Sequence, residues 1–288
     1  MKNVLPVAIV VAAIIALWYV ACLFMNAQLQ TDLYANSGNT TYSWSAFATA
    51  EWNMDRPKLP APHQIVAELD RTIFGMDPSS KRSLVYHAII TLQETILGFA
   101  IGSALGILLA VLVVHLSGLD KSLMPWIVAS QTIPIIALAP MIVVILNQFD
   151  IGGMTPKAVI AAYLSFFPIT VGMAKGFRSP DPLQLDLMRT YSATSSQVLT
   201  KLRAPASLPF FFASMKIGAA AALVGAVVAE VTKSEDGGLG ARLLAGSYYG
   251  QTVQIWAALL AASILAAVLV AIVGLANRIV LKRMGMAR

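Results

Sequence analysis

Residues 86–114 read YHAIITLQETILGFAIGSALGILLAVLVV. Apart from His87 and Glu94 near its start the run carries no side chain that is charged near neutral pH, and it exceeds the roughly 20 apolar residues that cross a hydrocarbon core. A helix apolar on every side has no face to offer water, so the segment reads as a membrane span. Five further runs share this character, at 4–25, 126–146, 157–175, 210–232 and 253–277. The whole composition agrees. Of 288 residues 58% are hydrophobic and only 12% charged, about half the charge that solvates a soluble domain. The expected fold class is an all-α membrane protein with six transmembrane helices.

An even number of spans puts both termini on one side. The first run is longer than the h-region of about 7–15 residues in a secretory signal, and reads as a retained anchor over 1–25. With both termini in the cytoplasm, the inner segments hold eleven Lys and Arg against three acids, and the outer segments eight against nine. Lys2, Lys121 and Lys175 count inside; Lys157, Lys233 and Arg242 count outside. The formal charge of +6 therefore reports topology rather than affinity for nucleic acid. The single cysteine, Cys22, excludes an intrachain disulfide and a cysteine metal site, and His63, His87 and His115 are dispersed, so no metal ligand set is expected.

Within the second run Gly98, Gly102 and Gly106 recur every fourth residue, a small-residue stripe that lets another helix approach closely and is read as packing. Pro134 and Pro140 interrupt the third run; each removes a backbone donor, so that span should bend or open, and broken helices often line pathways through a membrane bundle, which is one reading of it. The stretch 26–85 is expected outside as a loop with an interfacial helix. Its first half carries Tyr34, Tyr42, Trp44 and Trp52, and after Leu59-Pro60-Ala61-Pro62 the residues Ile65, Val66, Leu69 and Ile73 fall on one helical stripe. The core that carries the remaining spans is placed at 86–278 and a basic tail at 279–288.

The segment 176–209 is the most informative. Asp181-Pro182-Leu183-Gln184 offers an N-cap side chain, a proline at the first helical position and Gln at the capping-box position; Thr194-Ser195-Ser196-Gln197 repeats the pattern. Two short helices in series are predicted, the second ending near Ala204 because Pro205 disfavours helix in its predecessor. A connection of this length exceeds what joining two spans requires, which points to docking.

These residues resemble the cytoplasmic signature loop of bacterial ABC importer permeases, E-A-A-x3-G-x9-I-x-L-P. Asp186 stands at the Glu position, Leu187 and Met188 at the Ala positions, Ser192 at the Gly position, Leu202 at the Ile position, and Ala204-Pro205 at Leu-Pro. Arg189-Thr190, Ala193 and Pro209 resemble the branch carrying nitrate, taurine, alkanesulfonates and thiamine-precursor pyrimidines. So do Leu59-Pro60-Ala61-Pro62, Thr132-Ile133-Pro134, Ala229-Glu230 and Gly238-Leu239-Gly240. The resemblance covers about 59–280 and implies a type I importer permease. It implies coupling through Asp186, Leu187, Met188, Arg189, Ser192, Ala193, Leu202 and Pro205 to ABC ATPase subunits, which bind the ATP and magnesium. It further implies a periplasmic or lipid-anchored substrate-binding protein, a second permease chain, with a homodimer favoured, and residence in the bacterial inner membrane. Gly246-Ser247-Tyr248-Tyr249-Gly250 leans the resemblance towards pyrimidine systems.

No G-x-x-x-x-G-K-[ST] phosphate loop occurs, and neither H-E-x-x-H nor G-x-S-x-G is present, so the chain is expected to be no enzyme and to bind no cofactor itself. Glu94 in the second span and Glu230 at the outer end of the fifth are either pathway groups or helix-end carboxylates, and Lys216 is read as snorkelling to the inner surface. An ion-coupled carrier or channel would use Glu94, Glu230 and the proline-broken helix; no inverted repeat supports that alternative.

Overall fold

The computed structural model describes residues 4–38 and 42–285; Lys2 and Arg288, counted above for orientation, lie outside the described residues. Among the described residues the regular structure is helical throughout. The elements are α1 (Val4–Asn36), α2 (Trp44–Trp52), α3 (Pro62–Ile73), α4 (Leu84–His115), α5 (Ser117–Ser130), α6 (Ile135–Gln148) and α7 (Thr155–Phe177). They continue with α8 (Pro182–Thr190), α9 (Ser195–Val198), α10 (Ala204–Thr232), α11 (Leu239–Tyr248) and α12 (Thr252–Arg283). The chain divides into two compact units, Met1–His87 with Ala241–Ala261, and Ala88–Gly240 with Ala262–Arg288.

In the first unit α1 does not stop at Met25. No Gly or Pro stands between Pro6 and Gly38, so the polar residues after Met25 stay helical, and the break comes beyond Asn36, where Gly38 has φ +72°. At about 1.5 Å per residue, 33 residues outrun a hydrocarbon core of about 30 Å. The polar turns of α1 hold the chain that follows. Asn26 donates to Leu59 O at 2.9 Å and accepts from the backbone N–H groups of Lys58 and Leu59 at 2.8 and 3.1 Å. The Trp18 indole donates to Pro60 O at 3.1 Å and meets Trp256 edge-on at 4.9 Å. On α3 Ile65 and Thr72 are buried while Val66 is exposed, so the inward stripe is narrower than the expected set, which had included Val66.

The second unit is built on small residues. A Cβ on Gly98 would stand 2.6 Å from Ala158 O, on Gly102 2.8 Å from Ala162 O, and on Gly106 2.8 Å from Phe166 O, so this stripe of α4 lies directly on the backbone of α7. Gly176 of α7 meets Phe210 and Ser207 while Gly225 of α10 meets Ala161, which makes α7 and α10 antiparallel. Apolar clusters form at both ends: Met173, Phe177 and Met215 at one, Ala139, Val143, Ile160 and Ala229 at the other.

The third span is broken. α5 and α6 meet at 100°, Pro134 caps α6, and the Tyr163 hydroxyl donates to Ser130 O, satisfying a carbonyl freed at the break. Asp120 of α5 pairs with Arg178 at 2.8 Å at one end of α7, whereas Val143 of α6 packs with Ile160 near the other. The bent pair thus traverses the unit, and counted as one span beside the five long apolar helices it gives six segments long and apolar enough to cross a membrane.

One expectation fails. The second short helix does not end at Ala204; α9 continues through a π-turn, Leu199–Arg203, into α10 with Pro205 in its first turn. The wider π-turn relieves the clash between a proline ring and the carbonyl a turn earlier, so Pro205 changes the helix pitch without breaking it. Pro209, expected to punctuate the start of the span, likewise lies inside α10.

Candidate functional site

Two groups of polar residues stand at opposite ends of the second unit. The first is the α8–α9 segment. Asp181 accepts from Leu183 N at 2.8 Å and its own N–H reaches Gln184 Oε1 at 3.3 Å; Thr194 and Gln197 repeat the reciprocal cap. Between the helices Ser192 sits at φ +49°, in the left-handed region where a side chain is unfavourable. This gives a physical reason for glycine at the position that Ser192 fills. Arg203 donates to Phe177 O at 2.8 Å and ties the segment to the end of α7.

Of the coupling residues named from sequence, Asp186 and Arg189 form an exposed i,i+3 ion pair at 2.9 Å, a pair worth at most about 1 kcal/mol. Leu187 is exposed; Met188, Ala193, Leu202 and Pro205 are half-buried. Leu183, Leu187 and Tyr191 are 77%, 55% and 77% exposed and recur every fourth residue, an apolar stripe along α8 and its C-cap facing away from its own chain. Leu183 and Tyr191 were missed as site residues, although the i, i+4, i+8 spacing was available to find them.

The second group is a buried charge cluster. Lys157, counted with an outer loop in the sequence, lies in the first turn of α7 and is fully buried. Its Nζ stands 2.9 Å from Glu94 Oε1 and 3.4 Å from Asp236 Oδ2. Glu230, also fully buried, accepts from Thr91 Oγ1 and Gly240 N at 2.6 Å each, and Thr91 Oγ1 in turn accepts from Leu239 N at 2.9 Å. Gly238 has φ +112°, and a Cβ there would fall 2.6 Å from Glu230 Oε2. The Gly238-Leu239-Gly240 turn is therefore folded onto the carboxylate, and only glycine permits that approach. The structure brings Glu94 and Glu230 into this one cluster and leaves Pro134 and Pro140 exposed on α6, outside it. Removing one partner from a buried pair of this kind costs about 3–5 kcal/mol. The arrangement anchors the turn after α10 to α4, α7 and α10. Among the described residues no three His, Cys, Asp or Glu side chains gather as a metal site.

Five long apolar helices and a bent sixth segment define a multi-pass membrane protein with a capped helix pair displayed at one end. Residues 102–286 match the family described as binding-protein-dependent transport system inner membrane component, and the chain belongs to that family. It is 35% identical over 179 residues to the formylaminopyrimidine transport permease protein ThiX of Halalkalibacterium halodurans, covering 62% of this chain and 67% of that one. It is 33% identical over 174 residues to a probable ABC transporter permease protein of Haemophilus influenzae, covering 60% and 69%. Over 196 residues it is 29% identical to the riboflavin transport system permease protein RibX of Chloroflexus aurantiacus, covering 68% and 71%. The protein is thus the permease component of an ABC transport system, a transport subunit and not an enzyme.

Proposed function

We propose that this chain carries a small nitrogen heterocycle of the pyrimidine class inward across the bacterial cytoplasmic membrane, as a homodimer driven by separate ATPase subunits. In this reading the α8–α9 segment faces the cytoplasm and inserts into a cleft on the ATPase, which holds ATP and magnesium, while a substrate-binding protein delivers solute on the other side. The observation that carries it is the exposed Leu183, Leu187 and Tyr191 stripe on a doubly capped segment tied to α7 by Arg203. Apolar side chains held in water on a rigid helix are the signature of a surface awaiting a partner. The excess of basic residues on that side supports its cytoplasmic placement, and the relatives named for formylaminopyrimidine and riboflavin support the substrate class. ATP-driven closure of two ATPase subunits would draw the paired segments together and tilt α7 and α10 between inward-open and outward-open states.

The test is co-purification of the ATPase with the tagged chain in mild detergent. Leu187→Glu with Tyr191→Glu should release the ATPase by at least about tenfold, since each buries a charge in an apolar contact, while the permease keeps its thermal stability. Undiminished co-purification and transport would sink the coupling assignment.

A further inference from the structure

Between α10 and the last turns of α12 lies a cleft of about 510 Å³ that the transport reading does not use. It is lined by Lys216, Val270, Ala271, Gly274, Leu275, Asn277 and Arg278, all within the second unit. Its volume falls in the range of small-ligand sites. The lining is graded along α12. Val270, Ala271 and Leu275 form the part towards the middle of the helix; Asn277 and Arg278 close the part towards its basic end, where Lys282 and Arg283 follow. Lys216 reaches in from α10 and lies over Gly274, where a Cβ would stand in ordinary contact with Lys216 Cε at 3.5 Å and Nζ at 3.7 Å. Among the described residues no acid pairs with Lys216 or Arg278, and the Asn277 side-chain oxygen is shut from solvent without a donor. The cleft therefore presents two unpaired cations at one end and hydrocarbon at the other.

We propose that this cleft is a site for an anionic phospholipid. The phosphate would lie between Lys216 and Arg278, and one acyl chain would run over Val270, Ala271 and Leu275. The gradient matches a lipid's own polarity. A lysine this far along α10, twelve residues after Ala204, is costly in hydrocarbon unless an anion or water meets it, and basic pockets between spans at the membrane boundary suit lipid phosphate groups. The α12 surface is otherwise bare, with 11% of its apolar window buried, so lipid has access. This site goes beyond the transport reading and stands independently of it.

The experiment is native mass spectrometry, with lipid extraction, of the full chain purified from membranes containing phosphatidylglycerol and phosphatidylethanolamine. Wild type is expected to keep phosphatidylglycerol in preference to the neutral lipid. Lys216→Gln with Arg278→Gln should lower that retention by about tenfold. Gly274→Leu leaves both cations and blocks the stem, so it should also lower retention if the ligand is a lipid. Arg278→Gln alone keeps the test open should the double variant unfold, with a smaller loss expected. Equal retention of both lipids, or no change in any variant that keeps its melting profile, overturns the proposal. So does displacement of the adduct by millimolar inorganic phosphate with Gly274→Leu indifferent, which assigns the cations to a free anion. Loss of self-association with unchanged lipid content overturns it too, giving the face to a second copy of the chain.

Discussion

Glu51 on α2 is 1% exposed, and neither of its carboxylate oxygens has a hydrogen-bond partner among the described residues. Burial raises its pKa above the ordinary 4.5. An acid whose folded pKa lies above its unfolded one holds an extra proton in the native state, so stability falls as pH climbs from about 4.5 through the raised value. Glu51→Gln removes the titration. The variant should melt close to wild type at pH 4, where both side chains are neutral, and above it at pH 8, where only Glu51 carries a buried charge. Parallel melting curves across that range would show that Glu51 does not set the pH response. Other single residues were more openly written. The caps at Asp181 and Thr194 follow from residue type and spacing, because a short side chain and a Gln three positions on are local requirements. Lys157 was not legible as a buried ion, since its partners Glu94 and Asp236 lie far away in sequence and only the packing of α4 on α7 brings them together.

At the scale of elements, the seam between α4 and α7 fixes the second unit. The would-be Cβ of Gly102 faces the Ala162 carbonyl at 2.8 Å, a backbone atom that cannot rotate away. Gly102→Val must push the two helices apart, and a loss of about 1–3 kcal/mol is expected from overpacking, read as a lower melting temperature in detergent. Gly118→Ala on α5 is the control: nothing stands within 4 Å of its Cβ, so that variant should hold or gain slightly in stability. Equal behaviour of the two would refute close approach at the seam. The four-residue glycine repeat made α4 readable as a packing helix, but not its partner. The fate of the proline-bearing segments was less readable. Pro134 ends one helix and begins another, whereas Pro205 is absorbed by a π-turn, and the same steric rule governs both. The difference lies in what receives the freed backbone groups: Tyr163 serves Ser130 at the first, and the widened helix relieves the second.

For the whole molecule, the number of crossings depends on whether the bent α5–α6 pair passes through the bilayer or turns back. Hydropathy alone permits five spans or six. The contacts of the second unit decide for passage, because Asp120 reaches Arg178 at one end of α7 while Val143 packs with Ile160 at the other. Passage puts Lys121 and Tyr191 on one face of the membrane and Ile151 on the opposite face. A re-entrant turn would instead group Lys121 with Ile151 and leave Tyr191 across from both. Single cysteines at Lys121, Ile151 and Tyr191, each in a Cys22→Ser background, distinguish the two with a membrane-impermeant maleimide. All three positions are exposed, while native Cys22 is buried. In intact cells stripped of their outer barrier, Ile151→Cys should label, and Lys121→Cys and Tyr191→Cys should label only after permeabilisation. That pattern places the α8 stripe in the cytoplasm, where an ATPase can meet it. Joint labelling of Lys121→Cys and Ile151→Cys would remove one crossing, move one terminus to the other side, and leave the charge count of the loops without its meaning.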